Sequence, residues 1–268
     1  MSSKFTKTLS VTLFSTLIGS CFTVNADTLA KLKTNLEALN ANTELNVQFN
    51  ASYVENEGKD DEAKTKSGNI NYSVRYNDNG LQITYPKDIV AQITIENKLA
   101  EKDEEADTPT LNAMRKVQST QILNNLSAAQ PLLELINKGN LVSEEIKNIG
   151  KSESIELRFD LPMEKMITSK KLKKYVDEFN GMLVVTVDPQ GYPISSQTNI
   201  QGKGTAYVFF DMEVKQSKTA EYQVFEQRLV QVFESSQSKQ SSTFGGSESN
   251  SEKTITFLDE TPIKTALN

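Results

Sequence analysis

From residue 45 the chain alternates, with Leu45, Val47, Phe49, Ala51 and Tyr53 separated by Asn46, Gln48, Asn50 and Ser52. Successive side chains of a strand point to opposite faces, so this pattern sets one face against apolar matter and leaves the other in water. The pattern recurs, which is why it limits the architecture so tightly. Ile70, Tyr72, Val74 and Tyr76 repeat it, Asn77-Asp78-Asn79-Gly80 supplies a hairpin turn, and Leu81, Ile83 and Tyr85 return before Pro86 stops the strand. An antiparallel sheet with one wet face is the expected frame.

Further strands are expected at Ile89–Glu96, Leu141–Ile149 and Ser154–Leu161, the last two joined at Gly150-Lys151. Met182–Val187 and Tyr192–Ile200 flank the turn Asp188-Pro189-Gln190-Gly191. Thr205–Lys215 alternates through Ala206, Val208, Phe210, Met212 and Val214, while Tyr207 and Phe209 point the other way, so this strand is expected to be buried on both faces. Glu221–Phe233 and Lys253–Leu258 complete the set. Between them, residues 234–252 are rich in Ser, Gln and Gly and are expected to form a disordered loop. Glu55–Lys66 reads as a charged loop.

Two stretches carry helical spacing. Asp27 is placed to cap a helix bearing Leu29, Leu32, Leu36 and Leu39. Residues 111–138 form a helical insertion with Leu126, Ala129, Leu133 and Ile136 on one face. Pro131 either kinks it or opens a second helix capped by Ser127, and Lys138-Gly139 stops it. The sum is about ten strands and three or four helices: an α+β chain, one β-rich domain over 27–268, whose curved antiparallel half-barrel carries helices on one side.

The first 26 residues stand apart. Lys4 and Lys7 precede an uncharged, mainly apolar stretch from Leu9 to Phe22, and Val24-Asn25-Ala26 places small residues where a signal peptidase inspects them. Cleavage after Ala26 would free a periplasmic or secreted chain beginning at Asp27. Alternatively, Leu17-Ile18-Gly19-Ser20-Cys21 resembles a lipobox, and Cys21 would become a lipidated anchor.

The chain has no His and no Trp, and its single Cys is Cys21. Beyond the export segment this excludes His-based triads, a Cys nucleophile and the usual zinc, haem and copper ligand sets. No cofactor and no metal are expected. The chain holds 29 Lys and Arg against 35 Asp and Glu, a net charge of −6, which on average repels phosphate backbones, so no nucleic-acid partner is expected. Carboxylate pairs such as Glu144 with Glu145, or Glu156 with Glu164, would suit a glycosidase-like reaction, but solvated acids are the simpler reading. The same holds for Lys102–Asp107 as a calcium loop, for Lys170–Lys174 as a headgroup contact and for Ser236-x-x-Lys239 as a dyad.

The order of elements, one amphipathic helix, meander strands, a helical segment and more meander strands, resembles the half-barrel of periplasmic lipoprotein carriers and lipoprotein-binding proteins of the LolA/LolB type. The resemblance covers most of the chain after the export segment and rests on outline, with no motif. The chain departs from the family in lacking tryptophan and an arginine that matches a carrier's lid contact. The resemblance implies a sheet closed by helices over a hydrophobic cavity. The expected function is a non-enzymatic envelope protein that binds a lipid, acyl chain or other apolar ligand. Alternation points to Val47, Phe49, Val74, Ile83, Met114, Leu126, Leu133, Val208, Phe210 and Met212 as lining residues. The alternative is a structural or interaction module that meets an envelope protein partner through an edge strand or the polar loops at 55–67 and 234–252.

Overall fold

The computed structural model describes residues 26–58, 64–149, 152–166, 179–205, 211–243 and 245–258. The segment before Ala26 expected to act as an export signal, Cys21 included, and the basic cluster Lys170–Lys174 lie outside them. Helix α1 (Ala26–Ala38) leads into strands β1 (Leu45–Gly58), β2 (Lys64–Asn77) and β3 (Gly80–Thr84). Helices α2 (Lys87–Ala100), α3 (Pro109–Lys116), α4 (Ser119–Leu126) and α5 (Ala129–Lys138) follow. Then come β4 (Asn140–Ile149), β5 (Ser152–Asp160), the short α6 (Met163–Met166), β6 (Asn180–Val187), β7 (Pro193–Thr205), β8 (Asp211–Phe225), β9 (Arg228–Ser242) and β10 (Gly245–Phe257).

The chain is α+β, and its strands form one open, ten-stranded antiparallel sheet in the order β3-β2-β1-β10-β9-β8-β7-β6-β5-β4. It consists of two meanders, β1–β3 and β4–β9, joined by β10, which pairs with β1 on one side and β9 on the other. The alternation of β1 and β2 is realised as expected: Leu45, Val47, Phe49, Ile70, Tyr72 and Val74 are buried, and Phe49 stacks on Tyr72 with ring centroids 5.3 Å apart.

Two apolar clusters hold helices to the sheet. In one, Leu32, Leu36 and Leu39, carried by and just after α1, meet Ala129, Leu132, Leu133 and Ile136 of α5 and Leu157, Phe159, Leu183 and Val185 of β5 and β6. In the other, Ala113 of α3 and Ile122 and Leu126 of α4 pack on β1 and β2. Each fully buried Leu contributes about 2 kcal/mol. β9 separates the clusters. Its register with β10 ends at Thr254↔Phe233, and β9 bulges at Val232, the extra residue opposite the Glu221–Tyr222 step of β8. Released from β10, the start of β9 is covered on both faces: Arg228, Leu229, Val230 and Gln231 are all buried, Leu229 in the first cluster and Val230 in the second.

Several expectations are corrected. Glu55–Lys66 is strand at both ends, since β1 runs to Gly58 and β2 begins at Lys64, with Glu55 opposite Lys66. Ile89–Glu96 is not a strand but the middle of α2. Ile89, Ala91, Ile93 and Ile95 imitate strand alternation, yet Pro86 (φ −56°) opens a helix with Asp88 in its first turn and Lys98 in its last. Ile89 and Ile93, four apart, pack on the second cluster, and Glu96 is buried at the same helix's end. Its carboxylate accepts from the N–H of Leu111 at 2.6 Å, the N–H of Thr110 at 3.3 Å and Gln92 Nε2 at 3.0 Å, so α2 caps α3. Burial pushes this carboxyl up, but those donors outweigh burial and hold it below the usual range.

Residues 234–252 are not a disordered loop. They run through β9 and β10, which pair from Gly245↔Ser242 to Thr254↔Phe233. Their polar side chains gave no apolar signal, but strands on both sides satisfy their backbone. The expected strand Glu221–Phe233 is instead a hairpin turning at Glu226 (φ 52°) and Gln227. The expected strand Thr205–Lys215 is also divided, since Thr205 ends β7 and pairs across with Asp211, the first residue of β8. The insertion 111–138 is helical but broken into α3, α4 and α5. Pro131 sits in the first turn of α5, where its missing N–H costs little.

Candidate functional site

The residues expected to line a cavity divide between the clusters. Val47, Phe49, Val74 and Leu126 are buried in the second cluster, with Ile83 and Met114 packed against it, while Leu133 belongs to the first. Val208 and Phe210 lie outside the described residues, and Met212 is a β8 residue paired with Gly204.

A larger concavity lies elsewhere. A groove of about 750 Å³ runs between the end of α1, the β6–β7 turn and the β8–β9 hairpin. Leu39, Tyr192, Pro193, Ile194, Tyr222 and Val224 supply its apolar wall. Two large side chains stand open in it, Tyr192 at 38 % and Ile194 at 42 % of their full exposure.

Its walls are fixed by short-range geometry. In the β6–β7 turn the Tyr192 N–H donates to Asp188 Oδ1 at 2.8 Å, and Gly191 N–H donates to the Asp188 carbonyl at 2.9 Å. Gly191 takes φ +87° and lies so close to α1 that a Cβ there would stand 2.8 Å from Lys31 Cβ. Asn35 Nδ2 donates to the Gln190 carbonyl at 3.0 Å, which fastens the turn to the helix. Across the groove, Ala41 N–H donates to the Gln227 carbonyl at 3.0 Å and Leu229 N–H to the Leu39 carbonyl at 3.3 Å. Buried Arg228 secures the same joint, donating from Nε to the Ala41 carbonyl at 2.9 Å and from Nη2 to Asn42 Oδ1 at 3.0 Å. Its guanidinium also lies over the Tyr76 ring, 4.7 Å from the centroid.

Tyr222 forms the inner end. Its hydroxyl is 2.7 Å from Ser196 Oγ, and burial pushes its pKa up to about 12, so it stays a neutral hydrogen-bonding group. Beyond it, a smaller space of about 150 Å³ lies between α4, α5 and the sheet, lined by Asn125, Leu132, Ser196, Thr198, Lys218 and Gln231 among others. Next to that space is a buried ionic knot. Glu234 pairs with Lys218 at 2.8 Å and Lys253 at 2.9 Å and accepts from Gln231 Nε2 at 2.6 Å. Burial raises its carboxyl, but the two lysines outweigh that and hold it at about 2.

The carboxylates considered for acid–base chemistry do not assemble into a cleft. Glu145 and Glu156 face each other across β4 and β5, with Lys147 2.7 Å and 3.8 Å from them. Glu144 accepts from Thr28 Oγ1 at 2.7 Å, and Glu164 is exposed on α6. Among the described residues every resolved carboxyl shift is downward, the opposite of what a general acid needs. Within Lys102–Asp107, Asp103 accepts from the Glu105 N–H, and Glu105 pairs with Lys64 at 2.6 Å. No group of three potential metal ligands converges among the described residues. Ser236 and Lys239 sit three apart on β9 and so on opposite faces, Lys239 against Glu248 at 3.6 Å.

Fold and site together define an open-sheet α+β protein with an apolar surface groove. Compared with known proteins, the chain matches no protein-family model and no curated protein sequence. Among the described residues no helix is long and apolar enough to cross a membrane.

Proposed function

We propose that this is an exported protein of the bacterial envelope that binds, without catalysis, a lipid or other apolar ligand in the groove between α1, the β6–β7 turn and the β8–β9 hairpin. One observation carries the reading: a groove of about 750 Å³ in which Tyr192 and Ile194 remain open beside Leu39, Tyr222 and Val224. That volume falls in the range of small-molecule sites. Covering an acyl segment of about eight methylenes gains on the order of 6 kcal/mol before ordering costs are met. The export signal sequence supports the location, and the resemblance to LolA/LolB-type carriers supports the ligand class. Beside the cavity under the helices that this resemblance implies, the groove adds an apolar site at the edge of α1.

The test is titration of the purified protein with a fluorescent probe that carries an uncharged acyl chain, beside Ile194→Arg. Ile194 is partly open, so the variant keeps the fold, and it is expected to bind about tenfold more weakly. Equal binding by both proteins refutes the groove as the site.

A second reading, an interaction module, is favoured by β4. It is an edge strand that exposes Val142 at 58 % and Ile146 at 65 %. Such an edge accepts a further strand. On this reading an envelope partner captured by the wild-type chain is lost with Ile146→Lys and kept with Ile194→Arg.

A further inference from the structure

We propose that the ligand's polar end is a cation, an amine or quaternary ammonium, so that the groove takes a positively charged amphiphile and discriminates against a fatty acid. The inference rests on the groove reading above and adds the charge of its occupant. Among the described residues that line the groove, the charged ones are Asp188 and Glu226, both acidic, one from the β6–β7 turn and one from the β8–β9 hairpin. Glu226 sits at the tip of the β8–β9 hairpin with φ 52°, and its carboxylate has no hydrogen-bond or ion-pair partner among the described residues. Asp188 spends Oδ1 on the Tyr192 N–H, which leaves its other oxygen as an acceptor.

The neighbouring cations do not line the groove. Lys31, which packs beside Gly191, forms an exposed pair with Asp27 at 2.7 Å. Arg228 is 1 % exposed, held by Ala41, Asn42 and the Tyr76 ring, and its Nη1 is buried without a hydrogen-bond partner among the described residues. A carboxylate head would therefore meet like charge on the groove's own lining. A cationic head would be drawn by the field of these acids and would find, in the partly open Tyr192, an aromatic ring of the kind that favours quaternary ammonium groups.

The experiment is calorimetric titration of the purified protein with decyltrimethylammonium, decanol and decanoate, each below its micelle concentration and at low salt. The same series is run on the double variant Asp188→Asn/Glu226→Gln. A control, Glu101→Gln/Glu104→Gln, removes the same charge from an exposed turn far along the chain. The expected result is that the wild type binds the cation about tenfold or more tighter than the anion, with the alcohol between them. In the groove variant that gap closes to about twofold, and in the control it persists. Equal affinity for the three probes overturns the charge inference and leaves the apolar groove standing. A preference that survives in the groove variant, or closes as far in the control, overturns it too, because the selectivity is then that of the whole acidic surface. Binding of none of the probes refutes the groove reading itself, and this inference with it.

Discussion

Glu234 offers the sharpest quantitative test of how the sheet is held together. It is a carboxylate taken out of water and flanked by Lys218 and Lys253, with Gln231 donating a further bond. Its pKa lies at about 2 in the folded chain, against an ordinary 4.5. One pH unit of displacement corresponds to about 1.4 kcal/mol, so the ionised form stabilises the fold by roughly 3 kcal/mol. Because the folded pKa is depressed, that contribution is complete above the unfolded pKa and is lost as pH falls towards the folded one. More than half of it disappears by about pH 3. The perturbation is Glu234→Gln, which keeps the shape and removes the charge. Urea unfolding of both proteins is measured from neutral pH downward. The gap between them is expected to be about 3 kcal/mol at neutral pH and to narrow steadily between about pH 4.5 and pH 2. A gap that stays constant across that range refutes the reasoning, since a pH-independent loss would come from packing and not from the ion pairs.

Glu96→Ala removes the acceptor for the first N–H groups of α3 and is expected to cost about 1–3 kcal/mol, read as faster amide hydrogen exchange at Thr110 and Leu111 than elsewhere. Gly68→Ala drives a Cβ into the Pro109 carbonyl and to 2.8 Å from the Tyr53 ring, so thermal unfolding should show a loss of about 1–3 kcal/mol. Arg228→Lys shortens the donor fork that reaches both Ala41 and Asn42, and its expected cost of about 2 kcal/mol is read from denaturant midpoints.

The hairpins were legible in the sequence wherever a strand keeps one face dry and one wet, as at Leu45–Tyr53 and Ile70–Tyr76. Legibility failed where that contrast is absent. Ser235–Glu252 has no apolar face, yet it lies mid-sheet, where neighbours on both sides supply backbone partners. α2 misled in the other direction, because four apolar residues at alternate positions fit a strand as well as they fit two sides of a helix. Here Pro86 and Asp88 were the signals that decide. The Glu226–Gln227 turn lacks glycine, so a two-residue hairpin was hidden inside what looked like one strand. The groove was invisible for a different reason. Leu39, Tyr192, Ile194, Tyr222 and Glu226 come from separate element ends, and alternation reports which face a side chain takes, not the space in front of it.

The position of β10 sets the order in which the chain can fold. Its pairing of Val47 with Phe257 and of Thr254 with Phe233 bridges two meanders, and one of these contacts closes a loop that spans most of the chain. Such closure is entropically costly and is made late. Until β10 docks, β1 and β9 each present an unpaired edge, and the sheet exists as two halves. Each meander can gather its own helices first, and the cooperativity of the whole sheet then rests on a single strand.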